Sequence, residues 1–588
     1  MSDVLNGLPS LMPIQAFLTD FADRSGMLDK YGWGSELQEI LVKEFIKLLD
    51  NDLITVEKDP ARKAIITNKG THLVGEYRVA KSPKPMRHGS RNERSLPAVL
   101  VQEMEFLTNT PWLINQRLLA MTEDAEKTAP DIAEQVMSDD PNFVTSAKKY
   151  GMDVSYIPVY VDRVTRLYGE GQFSYTGNKA RRAHLDTPAT DYLWWDEVLP
   201  ICSLLEINPE ESEQIVKDWA NFIRKGGTWD EVRKHLWVLE VLTTGRSGAM
   251  ASVDIRTSGP LLGSIIAACL SLMQDTNIYG PDGRDCRLTV ARRIIIPTAL
   301  NPWGTFIKSK DAAKPIITAL FYGQAATGGA DHMMWSDPKK TPLNWKSIYG
   351  IVNNDVVLKN RPKLNPDYRP MVDDLGPNAA YAAFKELSTS WNSTFWSSYP
   401  EVLDLRQRLS DAYDYAKDNG REATITAPHG VVYTHKKWEL DMDAPRWRFR
   451  CQHPKLVEAG WAHGLDITLA GMKDVASGHS LFVRIVHLFD AWFRHRVNRH
   501  VRRTMIRLRG FAVGCGSIHD AFLVPLWMMP YMLGIVRAVL HEAVEVLPLI
   551  VNEFLRCNGQ EPMPELSPEQ KAKVHRSIAK NKAFLSFN

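Results

Sequence analysis

Two carboxylates stand where apolar runs break. Asp254 interrupts the run from Met250 to Ile255, and Asp520 follows His519 in the run from Gly516 to Val524. Both runs read as β-strands. Acids at two strand edges, far apart in sequence, are what a two-metal phosphoryl-transfer centre requires. Divalent ions of the magnesium type take hard oxygen ligands held rigidly, one ion activating the attacking oxygen and one stabilising the leaving group. Between the acids lies Lys314-Pro-Ile-Ile-Thr-Ala-Leu-Phe-Tyr322-Gly323. A helix over this stretch brings Lys314 and Tyr322 to nearly one side. A lysine there neutralises a triphosphate and can protonate a departing pyrophosphate. Lys310 extends the basic side, although Pro315, expected in the first helical turn, places Lys310 before the helix proper. Each segment alone has a bland rival: an acid capping a turn, a surface lysine beside a core tyrosine, a chance His-Asp pair. The order is what carries weight, and acid, lysine–tyrosine, His-Asp suggests a nucleic-acid polymerase.

The elements that must position these residues are legible in outline. Ser258-Gly259-Pro260 and the apolar stretch after it start a helix, so Asp254 sits on a strand just before a tight turn. His519-Asp520 reads as the tip of a hairpin between 511–518 and 521–524, with Gly514 and Gly516 allowing close backbone approach. From Leu96 onward, long helical patterns alternate with short strands, which suits an α+β enzyme rather than a regular parallel sheet. Residues 1–80 read as a separate unit. Helices are expected over Ile14–Phe21 and Leu37–Leu49, a hairpin over Leu53–Val56 and Ala64–Thr67, and a short helix near Thr71–Val79, a pattern resembling a winged helix. Lys81–Arg94 is rich in Pro, Gly, Ser and basic residues and reads as a linker.

A chain of 588 residues exceeds one core. Its net charge of +2 is too small to signal nucleic-acid binding, which must come from local patches at Lys179–His184, Lys308–Lys314 and Arg494–Arg509. Taken alone, the third reads as a solvated helix face. Six cysteines without CxxC or zinc spacing point to a reduced, cytoplasmic compartment. The apolar stretch 521–536 is broken by Pro525 and Pro530, and reads as a buried strand followed by a core helix rather than a membrane span.

Further segments extend the pattern. Asn109-Thr110-Pro-Trp112-Leu-Ile114-Asn115, then Asp162-Arg-Val-Thr-Arg166-Leu-Tyr168 followed by Gly177-Asn178, precede Asp254 with Ser258-Gly259. Pro428-His-Gly430-Val-Val and Val486-His487-Leu-Phe-Asp490-Ala separate the Lys314–Gly323 segment from His519-Asp520. In this order the segments resemble the motifs of the single-subunit, bacteriophage-type and mitochondrial DNA-dependent RNA polymerases, from about Leu96 onward. The resemblance implies a right-hand fold: 96–160 an N-terminal remnant and reduced thumb, 161–260 the first part of the palm, 261–485 the fingers, and 486–588 the rest of the palm with a C-terminal tail. It implies that Asp254 and Asp520 bind two Mg²⁺ ions and that Lys314, helped by Lys310, contacts the incoming NTP. Tyr322, Gly323 and His519 would line the nucleotide site. Asp162, Arg166 and Tyr168 would touch the template–RNA hybrid. Gly259 stands where related DNA polymerases are expected to carry a bulky glutamate, so ribonucleotides are favoured. The partners implied are a DNA template, NTPs and an RNA product, with no membrane.

The chain departs from that family in three places. Phe493 occupies a position where the family has histidine, with His495 two residues on. The thumb segment is short, and only residues 1–95 replace the promoter-binding domain. An accessory protein or a single-stranded template is expected to supply the missing grip. A primase or replicative polymerase of the same fold, and a family-A-like DNA polymerase, are the competing readings.

Overall fold

The computed structural model describes residues 11–58, 64–68, 97–137, 142–150, 154–157, 159–161, 165–169, 175, 178–188, 195–322, 326–335, 364–441, 443, 446–469, 471–510, 512, 515–518 and 521–587. His519, Asp520, Asp162 and Gly323 lie outside the described residues, as do the segment 81–95 and the helix expected at Thr71–Val79.

The first described strand is β1 (Leu11–Pro13), followed by helices α1 (Ile14–Arg24) and α2 (Ser35–Asp50) and strands β2 (Ile54–Lys58) and β3 (Ala64–Asn68). The strands form an antiparallel sheet in the order β1-β3-β2. Next come α3 (Ala98–Thr108), β4 (Pro111–Ile114), α4 (Gln116–Thr128), β5 (Leu185–Asp186) and α5 (Trp229–Thr244). Strand β6 (Met250–Ile255) leads into α6 (Ser258–Ile266), and α7 spans Lys310–Phe321. Strands β7 (Trp447–Cys451) and β8 (Leu465–Leu469) pair before the long helix α8 (Gly478–Arg509). The chain finishes with β9 (Gly516–Ile518), β10 (Ala521–Pro525), α9 (Met529–Cys557), α10 (Pro568–Lys580) and β11 (Leu585–Phe587). Every described strand pair is antiparallel, and the whole is a mixed helical and sheet fold.

The central sheet runs β9-β10-β6-β11. Its middle strand β6 is almost wholly buried because its alternating sides face two cores: Val253 and Ile255 one, Met250 the other. The apolar stretch after Ala521 becomes β10 and the start of α9. No helix among the described residues is long and apolar enough to cross a membrane. All six cysteines are thiols.

Two findings concern the N-terminal region. Helices α1 and α2 cover the stretches that the apolar spacing predicts, and β2 and β3 form the expected hairpin. Its core does not stop at the module, however: Phe17, Phe45 and Leu48 pack in one cluster with Leu456, Ile467 and Leu469. The Lys455 ammonium donates to the carbonyls of Leu49 and Asp50 and to the Asp52 carboxylate, 2.8 Å away.

Glu103 on α3 is buried near Asn498 and Arg502 of α8. Burial, opposed by the nearby Asn498 amide and the Arg502 charge, pushes its carboxyl up to about 8. The folded protein therefore holds a proton that the unfolded chain gives up above an ordinary glutamate value of 4.5. Stability should fall as pH rises from there to about 8, by a total approaching ~5 kcal/mol. Glu103→Gln, which keeps a neutral side chain, should flatten that slope in urea unfolding at pH 5, 7 and 9. An unchanged slope in the variant would contradict the assignment.

Candidate active site

Asp254 is the fifth residue of β6, half-buried between the buried Val253 and Ile255. The turn after it is tight: Thr257 adopts φ 55°, a left-handed conformation, and α6 starts at Ser258 with Pro260 in its first turn. Pro260 is thus third in the helix, a position whose N–H has no intrahelical acceptor to lose. On the neighbouring strand, Ala521 is the register partner of Asp254, and Ile518 is the partner of Ala521 across the β9–β10 hairpin. On the other side of β6, Ser586 of β11 is in register with Asp254.

Two arginines lie within reach of this edge. The field of Asp254 reaches the Arg182 and Arg287 guanidiniums. Burial holds Arg182 below the usual arginine range despite the pull of Asp230 and Asp254. Arg287 makes a two-pronged bond to Asp285 (2.8 and 2.7 Å), and Lys310 lies 3.6 Å from the same carboxylate. The Lys179–His184 patch is therefore partly internal, since Arg181 donates to the carbonyl of Val136 and His184 is fully buried.

Helix α7 begins at Lys310, not after it. The Ser309 hydroxyl accepts from the Ala312 N–H (3.2 Å) and fixes the start, so Pro315 sits in the second turn. The proline forfeits only the bond to the Asp311 carbonyl, and Asp311 is exposed, so water can replace it. Lys310 and Lys314 are both exposed, one turn apart on α7, while Ala313, Ile316 and Ile317 are buried.

The far end of α7 presses on α6. A Cβ placed on Gly259 would stand 2.4 Å from the Tyr322 hydroxyl, and one on Gly263 would stand 2.6 Å from the Phe321 ring. Two glycines one helical turn apart thus receive two successive aromatic rings. Tyr322 also meets His487 of α8, with ring centroids 4.9 Å apart, while Phe321 packs edge-on to Phe482 at 5.3 Å. The sequence singles out Gly259 and Tyr322 but not their contact, and it points to no role for Gly263 or His487. The Gly-x-x-x-Gly spacing was the available signal.

A second polar cluster joins segments that are remote in sequence. Asp490 pairs with Arg166 at 3.4 Å and with Arg494 at 3.3 Å, all three nearly buried. Thr165, held at φ 67°, offers its carbonyl to His495 (3.0 Å), whose ring lies 5.4 Å from that of His429. Burial, then the nearby His429 and Arg494, keep His495 neutral. Phe493 is 2% exposed and belongs to the main core. Neither Phe493 nor His495 presents itself to solvent. Tyr168 lies in a short strand opposite Tyr160 and is half-buried.

A third network steadies the entrance to β6. Arg233 donates twice to Asp186 (3.0 and 2.7 Å) and also to Glu240, while Asn115 caps α4 and donates to Asp186 at 2.7 Å. Asp186 is bridged to Ala249, the residue before β6. Asp186→Ala would leave the buried Arg233 with Glu240 as its one carboxylate and remove the acceptor of the Asn115 amide, and should lower unfolding stability by about 1–3 kcal/mol. Urea unfolding checks this, and a wild-type midpoint would contradict it.

Among the described residues, no group of three or more His, Cys, Asp or Glu is arranged to hold a metal ion. Asp254 supplies a hard oxygen donor of the kind magnesium takes, beside a strand whose next residue upstream is the second acid. No family model matches the chain. No curated protein matches it. Among solved structures, the chain is similar to the POL domain of Pol1 from M. smegmatis in complex with DNA primer-template and dNTP. That similarity covers 77% of this chain and 68% of that chain, with a TM-score of 0.29 and 11% sequence identity.

Proposed function

We propose that this protein is a template-directed nucleotidyltransferase, and specifically a compact DNA-dependent RNA polymerase. The observation that carries the reading is the β6–β10 register: Asp254 lies opposite Ala521, the chain neighbour of Asp520. Local sequence sets Asp254 on a strand and Asp520 at the tip of a hairpin, and the strand that follows that tip pairs with β6. In this reading the sheet β9-β10-β6-β11 is the palm, uniting residues 161–260 with 486–588, and the α6–α7 contact is the floor of the nucleotide site.

Asp254 and Asp520 would hold two Mg²⁺ ions, which supply activation of the attacking 3′-hydroxyl and stabilisation of the leaving pyrophosphate. Lys314 and Lys310 face outward on α7 and neutralise the triphosphate. Tyr322 closes the helix end beside Gly259 and stacks against the incoming base, with His487 behind it. Gly323, His519 and Asp162 keep the roles that the family resemblance implies. Arg166 acts through Asp490, as a positioning residue, rather than by an outstretched side chain.

One observation favours the competing reading of a family-A-like DNA polymerase. The space over Gly259, which a ribose 2′-hydroxyl would need, is occupied by the Tyr322 hydroxyl. Sugar choice therefore rests on whether Tyr322 yields. Extension of a primed RNA–DNA scaffold with NTPs or dNTPs, with and without Mg²⁺, tests the proposal. Mg²⁺-dependent extension preferring NTPs is expected. Preference for dNTPs would move the assignment to a DNA polymerase, and no extension with either would end it.

A further inference from the structure

Between Arg494 and Arg509 the chain carries seven arginines and no acid. The structure divides them. Arg494 is internal on Asp490, Arg496 is bound to Glu542 at 2.6 Å, and Arg509 to Glu197 at 3.0 Å. Arg499, Arg502, Arg503 and Arg507 form no ion pair with a carboxylate among the described residues. Glu103, the acid whose field Arg502 feels, is buried and held protonated through neutral pH, so it does not offset that charge.

These four lie at i, i+3, i+4 and i+8 of one continuous helix, so they share a single face of α8. Arg502, Arg503 and Arg507 are exposed and Arg499 half-buried. The crowding registers on His500: partial burial first, then the fields of Arg496, Arg503 and Arg499, hold its imidazole below the usual range against the pull of Glu542. Like charges one turn apart destabilise a helix by a few tenths of a kcal/mol per pair. Attraction to the helix C-terminus offsets that for Arg507 and Arg509 only, because it fades beyond the last turn. A stripe that costs stability, on a chain of net charge +2, fits an anionic polymer.

The same helix touches the candidate site. His487 meets Tyr322, and Arg499 and Arg507 lie 12 and 20 residues further along, roughly 18–30 Å at 1.5 Å per residue. At about 3.4 Å per nucleotide of helical strand, that distance is roughly five to nine nucleotides. We propose that the Arg499–Arg502–Arg503–Arg507 face of α8 is a track for the phosphodiester backbone of the template or product strand. This rests on the polymerase reading for its direction, and on the charge pattern alone for its ligand class.

The test uses the full-length triple variant Arg499→Gln/Arg503→Gln/Arg507→Gln, leaving Arg502 on the Phe106 ring, and the matching Arg→Lys variant. Binding of labelled single-stranded DNA and RNA is titrated across salt, alongside phosphatidylserine vesicles. The glutamine variant should bind about 10- to 100-fold more weakly at low salt, with a log–log salt slope shallower by about 2, and the lysine variant should restore both. A larger loss for RNA than for DNA identifies the product strand, and the reverse the template. Unchanged oligonucleotide affinity and slope would overturn the proposal, as would a defect confined to vesicles. Extension on a scaffold too short to reach the stripe should be equal in wild type and variant. Absence of extension in both would defeat the polymerase reading while leaving the binding result to judge the track.

Discussion

Replacing Asp254 or Asp520 by asparagine should abolish nucleotide incorporation while leaving the protein folded. Asparagine keeps the size of the side chain and one oxygen but removes the charge that holds a divalent ion. A metal-stabilised transition state loses several kcal/mol when its ion is lost, and each ~1.4 kcal/mol is a factor of ten, so a fall of roughly 10³-fold or more is expected. Asp254 is half-buried at the end of a strand whose other side chains build the core, so Asp254→Asn should leave the unfolding midpoint near wild type. Single-turnover extension on a primed scaffold, with circular dichroism on the same samples, measures both quantities. Near-normal extension by either variant would remove that acid from the chemistry.

The second large effect concerns Gly259. A methyl group there would meet the Tyr322 hydroxyl at 2.4 Å and the adjoining ring carbon at 3.0 Å, so Gly259→Ala must push the tyrosine away from α6. A displacement of about 1 Å at a positioning residue can cost ~10²-fold in rate, and a loss of that order is expected here. Tyr322→Phe removes the closest atom. In the double variant Gly259→Ala/Tyr322→Phe, incorporation should recover above the level of Gly259→Ala alone, giving a coupling larger than the sum of the single effects allows. The same series reports on sugar choice, since removing the hydroxyl opens the space above Gly259 to a ribose 2′-hydroxyl and should raise the use of NTPs relative to dNTPs. Simple additivity of the two substitutions would mean that the contact has no part in catalysis.

Local patterns revealed much of the scaffold and little of its assembly. The strand around Asp254 and the hairpin flanking 519–520 follow from apolar runs broken by glycine and acid, signals that reside in neighbouring residues. Helix α7 shows how such signals mislead: Pro315 suggested a late start, but the Ser309 cap sets the boundary and the proline is accommodated within the helix. Packing of distant segments was illegible. Nothing near Asp186 in sequence announces Arg233, and nothing near Leu48 announces Ile467. Arg494–Arg509 read as one solvated face, yet tertiary contacts bury its first arginine, pair two others and leave a narrower stripe exposed. The Tyr322–Gly259 contact joins two residues of recognised interest whose meeting depends on the crossing of α6 and α7, which no local pattern encodes.

Anomalous diffraction from crystals grown with Mn²⁺ and an incoming nucleotide tests the central claim most directly. The expected map shows two manganese peaks bridged by the carboxylates of Asp254 and Asp520, beside the β6–β10 edge. Peaks elsewhere, or two acids whose side chains face away from each other, would contradict it.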